Sequence, residues 1–516
     1  MTLRPITAPI KAAGLKVLLV TAASAMGLAG CANPSAVVRS QLAQQLERAQ
    51  ADVPTRWRQA EAAEAPARTL PERWWTLYED PALNQLVAFA LAHSPDIRAS
   101  AQRLRLAALR AETSGDPLRP GLNGSADTSV SKALRPPEEP IQTRATTVAQ
   151  RSWSSSWGAS WELDLWGRLR LQHTMADWEQ QASHDDDQGL RASLAAQVAR
   201  QYWQLAASQQ RIEHARASLE HAQGLVELVR VRQHAGAASG LERIQSEASL
   251  GGQRSALLRA QQSREEQLHG LSVLLGLPPG QLPPGLRAET WRTDYGDIFP
   301  IPAGLPAEVL ARRPDLRAAE QRLRATLAAV EVARLTFYPG IRLTGGLGTS
   351  GAALAQVLAN PVANLGAQLS LPFLNAAEMR RAPKVAEAEH AIALQGFRQA
   401  LLRALSEVEN LLLEARSLDE QGRQQAVLLS QQRRIESLSE LRYRAGADAL
   451  RIWLDAAEAR RQAELAVLET RLAQRLNQAQ LWLALGAGTG EERTEATDLK
   501  LNFTNTQPDA SYTHDR

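Results

Sequence analysis

The chain has 516 residues, 22% of them charged and 5% aromatic, with 58 Lys and Arg against 55 Asp and Glu. Three of the basic residues, Arg4, Lys11 and Lys16, fall in the first 30 positions, which hold no acid, so the rest of the chain is balanced in charge. That balance removes the electrostatic case for nucleic-acid binding despite a pI near 9.1, and a single cysteine excludes an internal disulfide framework.

In chain order, the basic start leads into an apolar stretch from Leu15 to Leu28 that is too short to span a membrane. It ends in Leu28-Ala29-Gly30-Cys31, which resembles a bacterial lipobox, where the cysteine after the cut is acylated. Residues 1–30 therefore read as a lipoprotein signal peptide and Cys31 as the lipidation site. Ala32 in second place permits sorting to the outer membrane. Residues 31–70 are a polar, Ala- and Gln-rich lead.

From there the chain contains itself twice. Ser94-Pro95-Asp96-Ile97-Arg98-Ala99 recurs as Arg313-Pro314-Asp315-Leu316-Arg317-Ala318, an offset of 219 residues. Gly236 maps to Gly446 and Gly276 to Gly486, an offset of 210. The period is far beyond that of a solenoid; it marks a duplicated unit. The first repeat covers 71–278, a linker 279–303, the second repeat 304–488, and 489–516 reads as a disordered tail.

Each repeat has the order helix, two strands, long helix, turn, long helix. The strands are expected at about 121–131 and 152–165, then 340–348 and 362–373. In the first, Leu122, Gly124, Ala126, Thr128 and Val130 alternate with Asn123, Ser125, Asp127 and Ser129. In the second, Trp153, Trp157, Trp161, Leu163 and Leu165 alternate with Ser154, Ser156, Ser160 and Glu162. Period two with one apolar and one polar face describes a half-buried soluble strand and a transmembrane barrel strand equally well. Between the first two strands, Arg135-Pro136-Pro137-Glu138-Glu139-Pro140 reads as an exposed loop.

Long helices are expected at about 168–234, 240–276, 375–444 and 449–486, the longest on the order of 100 Å. Leu394, Phe397, Leu401, Leu405, Val408 and Leu412 step by three and four, a coiled-coil seam. Gly396 inside it reads as a point of close approach or a tolerated weak point. Asp185-Asp186-Asp187 beside His184 reads as the solvated start of a long helix rather than a cation site. Four strands cannot close a barrel, and open edges do not persist in lipid. Transmembrane strands would thus be shared between copies: three chains give twelve strands around a water-filled duct, whereas eight strands would fill with side chains.

Five segments carry a resemblance to a known family: Arg313-Pro314-Asp315, Phe337-Tyr338-Pro339, Trp161-Glu162-Leu163-Asp164-Leu165-Trp166-Gly167-Arg168, Ala404-Leu405-Ser406-Glu407-Val408-Glu409-Asn410 and Arg442-Tyr443-Arg444-Ala445-Gly446. In order, duplicated and behind a lipobox, they resemble the TolC- and OprM-like outer-membrane factors, specifically the NodT-type lipoproteins that serve resistance-nodulation-division (RND) pumps. The resemblance implies a mostly α, mixed fold: duplicated long coiled-coil hairpins form a periplasmic α-barrel, and four strands per chain close a twelve-stranded β-barrel as a homotrimer. It implies a passive exit duct in the outer membrane, anchored in outer-membrane lipid and extending into the periplasm. Its partners would be a periplasmic adaptor (a membrane fusion protein) and an inner-membrane RND pump.

The same resemblance places the adaptor-docking tips at Arg232 to Gly236 and Arg442 to Gly446. Glycine there has a local reason as well, since it permits the positive φ of a tight interhelical turn. A gate falls on Arg451 and Asp455, which share a helix face at i,i+4; three copies would stack a cationic ring on an anionic one. Arg451 stands where the family places an apolar residue, and the alternative is a simple surface pair.

No phosphate loop, metal-ligand spacing or nucleophile elbow is present in the sequence, so neither an enzyme nor a cofactor is expected. A lipidated periplasmic adaptor would show one hairpin and a β-rich domain rather than two hairpins each preceded by strands. A structural coiled-coil lipoprotein would have no use for the Trp-bearing strands.

Overall fold

The computed structural model describes residues 53–58, 71–132, 149–287, 291, 301, 306–353 and 361–488. Cys31 and the signal peptide, most of the lead and linker, the loop holding Arg135 to Pro140, and residues 489–516 lie outside the described residues.

The helices are α1 (Pro81–His93), α2 (Pro95–Ser114), α3 (Arg168–His234), α4 (Gly240–Leu274), α5 (Pro306–Arg312), α6 (Pro314–Leu335), α7 (Ala376–Arg444) and α8 (Leu450–Ala484). The strands are β1 (Gly121–Ser131), β2 (Gln150–Leu163), β3 (Gly340–Gly351) and β4 (Val362–Ser370). Two short helices, α2 and α6, each open on the proline of a repeated Pro-Asp pair; proline suits the first helical turn because no backbone partner is needed there. In α7, Pro383 lies inside the helix and removes one backbone hydrogen bond, so a bend belongs at that turn. Among the described residues, no helix is long and apolar enough to cross a membrane.

Two compact units each draw on both repeats. One takes the described parts of Arg105–Ala182 and Glu320–Gly396, and its centre is a four-stranded antiparallel sheet in the order β1-β2-β3-β4. Leu122 pairs with Ala159, Trp157 with Leu347 and Leu347 with Ala363. β2 and β4 stop short of the alternation that runs on to Leu165 and Phe373. Asp164 leaves the strand to accept from the backbone of Leu169 and Arg170 in the first turn of α3, at 3.0 Å each. After β4, Pro372 cannot donate to a ladder and begins a 3-10 turn over Pro372–Leu374.

The other unit takes the described parts of Gln50–Leu104, Ser183–Ala319 and Phe397–Arg516. Its core gathers Trp74, Trp203, Trp291 and Trp482 with Leu83, Leu86, Leu271 and Leu275. Trp74 stacks on Trp482 with centroids 6.4 Å apart. Asp80 caps α1, accepting from Ala82 N at 2.9 Å and Leu83 N at 3.3 Å, and its other oxygen accepts from the Tyr202 hydroxyl at 2.5 Å. One buried carboxylate thus closes the helix N-terminus and ties it to α3.

One sequence expectation changes, and another narrows to one of its two alternatives. The Asp185 to Asp187 run is not a solvated helix start: α3 begins at Arg168, and Asp185 and Asp187 are only 3% and 5% exposed. Asp185 pairs with Arg317 and Asp187 with Arg191, so arginines offset the burial of both carboxylates. At Gly396, an added Cβ would meet nothing within 4 Å among the described residues, which favours the tolerated weak point over a close approach within this chain.

Candidate functional site

The sheet sorts its side chains by chemistry. Residues paired across an antiparallel ladder share a face, and neighbours along a strand alternate. One face carries the rows Leu122, Ala159, Gly345, Leu365 and Gly124, Trp157, Leu347, Ala363. The opposite face carries Asn123, Gly158, Gly346, Asn364 and the row Glu162, Arg342, Gln368. Thr128, Ser155 and Thr349 on the apolar side and Val362 on the polar side are local departures. Hydroxyls face each other on the polar side: Ser125 to Ser156 at 2.9 Å and Ser129 to Ser152 at 2.8 Å. Gly124 leaves room for the Trp157 ring, because a Cβ there would sit 2.8 Å from it.

The Trp161 to Arg168 motif is a joint rather than a reactive centre. Glu162 accepts from Arg168 at 2.5 Å and from Arg342 at 3.4 Å, so it links β2 to β3 and to α3. Trp166 donates from Nε1 to the Pro339 carbonyl at 2.8 Å, and its ring lies 5.2 Å from Tyr338. Arg313 plays the same part in the other unit. Its guanidinium reaches Asp315 and Glu407 at 2.9 Å each and the Ala484 carbonyl at 3.0 Å, which joins α6, α7 and α8.

The two hairpin turns meet within one unit. At the end of α3, Gly236 has φ of 73°, its N–H donates to Gln233 O at 3.0 Å, and Ala237 N donates to Arg232 O at 2.7 Å. At the end of α7, Gly446 has φ of 75°, with Gly446 N to Tyr443 O and Ala447 N to Arg442 O both at 2.9 Å. Both are Schellman turns that satisfy the last helical carbonyls, and a residue with a Cβ would be strained there. The N-termini that follow differ. Ser239 and Glu242 form a reciprocal capping box on α4. α8 has Ala449 at its N-cap and no side-chain cap. Instead Arg442 grips Asp448 through Nε at 2.7 Å and Nη2 at 2.9 Å. Those hydrogen bonds hold the Asp448 carboxyl below its ordinary pKa and raise that of Arg442.

Arg232 lies across the second turn, with its guanidinium 4.6 Å from the Tyr443 ring centroid and Nη1 donating to the Tyr443 carbonyl at 3.2 Å. Beneath it, Tyr443, Trp453, Leu225, Val229 and Leu450 form a buried cluster. Burial pushes the Tyr443 hydroxyl pKa up, against the pull of Arg232. Arg451 and Asp455 pair at 3.6 Å on α8, with side chains 78% and 73% exposed. Trp453 sits halfway between them in sequence and so on the opposite side of the helix, against the cluster. The pair therefore projects outward while Trp453 anchors. Ion pairs hold α8 against α3 and α7: Arg211 with Glu469 at 2.6 Å, and Arg460 with Glu436.

The structure thus brings Arg232, Gly236, Arg442 and Gly446 to one end of the helices. Sequence reasoning missed Tyr443, Asp448 and Trp453 as the parts that fasten that end. The one available signal was Arg442 and Asp448 flanking the glycine turn. Among the described residues no group of three His, Cys, Asp or Glu could hold a metal ion.

Comparison with known proteins agrees with this geometry. The outer membrane efflux protein family matches residues 86–277 and 305–487, once per repeat. The pyoverdine export outer membrane protein OpmQ of Pseudomonas putida is 34% identical over 439 residues, covering 84% of this chain and 92% of that protein. The toluene efflux pump outer membrane protein TtgC of Pseudomonas putida is 28% identical, covering 93% of this chain and 97% of that protein. The structure of the outer-membrane channel OprN superposes with a TM-score of 0.74 at 27% identity, over 85% of this chain and 97% of that one. With its duplicated hairpins, its face-sorted sheet and a family match in both repeats, this chain belongs to the outer membrane efflux protein family and is an outer-membrane efflux channel.

Proposed function

We propose that three copies of this chain form the passive exit duct of a tripartite efflux pump. The observation that carries the proposal is the sheet: its two faces are separated into apolar and polar rows, while β1 and β4 each present an edge that no strand among the described residues pairs. Lipid does not tolerate such an edge. Pairing β4 of one copy with β1 of the next removes it, puts the apolar rows toward lipid and the polar rows toward water, and three copies give a twelve-stranded barrel.

The duplicated hairpins extend the duct into the periplasm. Their turns, Arg232 to Gly236 and Arg442 to Gly446, receive the periplasmic adaptor, and the adaptor couples the duct to an inner-membrane RND pump. Arg451 and Asp455 form the gate, one charged ring above the other, and acylated Cys31 anchors each chain in outer-membrane lipid. The duct performs no reaction and uses no cofactor, so transport energy comes from the pump. Relatives named for pyoverdine export and for toluene efflux match 84% and 93% of this chain, which supports cargo choice upstream of the duct.

Electron microscopy of the detergent-purified mature protein tests this reading. A threefold cylinder with a short barrel and a helical tunnel on the order of 100 Å long is expected. A monomer, or an elongated hairpin without a barrel, would overturn it and favour the adaptor.

A further inference from the structure

The apolar face of the sheet runs on past the strands into a groove. Ile341 and Leu369 pair on that face, at the end of the sheet that joins α6 and α7. Just beyond them, Phe337, Tyr338 and Phe373 line an open groove with Arg334 of α6 and Met379 and Pro383 of α7. Phe337 is buried, whereas Tyr338, Phe373 and Met379 are 49%, 41% and 38% exposed. Large apolar side chains left open together mark a contact surface.

The charge at the rim of this groove is unbalanced. Arg334 is neutralised within the chain, by Glu387 at 2.7 Å and Glu331 at 3.5 Å. Glu387 lies seven residues after Arg380 and three after Lys384, so the three share one face of α7, and the Arg334 contact turns that face toward the groove. Arg380 and Lys384 are exposed, and among the described residues neither has an ion-pair partner. Glu378 stands two residues before Arg380, near the opposite side of the helix, and is held by the Asn375 amide at 2.6 Å. The first repeat treats the same place differently. The 210-residue offset carries Arg380 onto Arg170 and Lys384 onto Thr174. Arg170 donates to Asp164 at 3.2 Å, whereas the second repeat has no acid from Leu371 to Ala377. It therefore has one cation more and one carboxylate fewer at this point.

We infer that the groove docks an anionic phospholipid of the membrane leaflet on the helix side: its apolar lining takes the upper part of an acyl chain, and Arg380 and Lys384 bind the headgroup phosphate. The inference rests on the reading above that the apolar face of the sheet meets lipid, and adds which lipid and where. Two features fix the occupant. The groove continues the lipid-facing rows, so an acyl chain reaches it without leaving hydrocarbon. The cations border the apolar lining, which is the order of headgroup and tail at a membrane surface, and Tyr338 stands between them, where an aromatic ring with a polar tip belongs. A soluble anion would need the cations alone.

The test is native mass spectrometry of the purified full-length protein, titrated in turn with phosphatidylglycerol and phosphatidylcholine of identical acyl chains. Phosphatidylglycerol is expected to bind more tightly. Arg380→Gln with Lys384→Gln should weaken phosphatidylglycerol about 25-fold and leave phosphatidylcholine little changed. Phe373→Ser should weaken both lipids alike, because it acts on the acyl chain. A preference that survives the double variant would overturn the site. Displacement of the lipid by inorganic phosphate, with Phe373→Ser without effect, would mean a soluble-anion site. Tighter lipid binding in Cys31→Ser would mean that the chain's own acyl anchor fills the groove. Either result overturns the proposal. The measured mass separates the two readings: a trimer without the preference refutes this site alone, and a monomer refutes the duct reading with it.

Discussion

Arg232 in the last turn of α3 and Tyr443 in the last turn of α7 are joined twice, by a guanidinium 4.6 Å above the ring and by a hydrogen bond of 3.2 Å to the Tyr443 carbonyl. The contact fastens the turn of one repeat to that of the other. Tyr443→Ala removes both the ring under the cation and a large buried side chain. A local loss of about 3–5 kcal/mol is expected, read as faster hydrogen exchange at the amides of both turns. Tyr443→Phe keeps the ring and removes only a hydroxyl that finds no hydrogen bond among the described residues. Its exchange rates should stay close to those of the unmodified chain.

The Arg442–Asp448 grip gives the second turn an acid dependence. The Asp448 pKa is depressed in the folded state by the hydrogen bonds from Arg442. Its stabilisation is therefore fully present above the ordinary aspartate value of about 3.9 and is lost as pH falls through the lower folded value. Exchange at the Arg442 to Ala447 amides should rise in that acid range. Asp448→Asn should show the faster exchange already at neutral pH and remove the acid step.

For the gate, Arg451→Ala with Asp455→Ala should raise conductance in a planar bilayer. Both side chains are more than 70% exposed in one chain, so folding should be unaffected and as a surface pair they would contribute only about 0.3–0.5 kcal/mol. Unchanged conductance would move the gate elsewhere.

Neighbouring positions on β4 separate the two faces of the sheet. Leu365→Arg puts a charge on the apolar face and should cost about 2–4 kcal/mol in a bilayer, visible as reduced assembly and a lower unfolding midpoint in lipid. Asn364→Arg puts the same charge on the polar face. It should leave assembly intact and shift ion selectivity.

Cys31→Ser should abolish incorporation of labelled fatty acid. Normal labelling of that variant would refute the anchor.

Much of this was legible because it depends on short spacings. Alternation at period two exposes the strands and their two faces, since side chains of neighbouring residues point to opposite sides. Glycine at 236 and 446 exposes the turns. Other features were not legible, because the partner lies far away in sequence. Asp185 looks solvated in isolation and is buried against Arg317, 132 residues away. Leu165 continues the alternation of β2, but the strand ends at Leu163 because Asp164 turns away to cap α3. The Trp161 to Arg168 motif carries the family likeness, yet only Glu162, Trp166 and their partners on β3 and at Pro339 show what each residue holds.

By itself the sequence determined the duplication, the element types and the sorting of apolar from polar residues, because each is a periodicity that local backbone geometry imposes. The tertiary structure alone decided that β2 pairs with β3 across the repeats and that Arg232 rests on Tyr443. Those depend on which surfaces meet after the chain has closed over distances of up to 200 residues and more, and no local pattern encodes such a meeting.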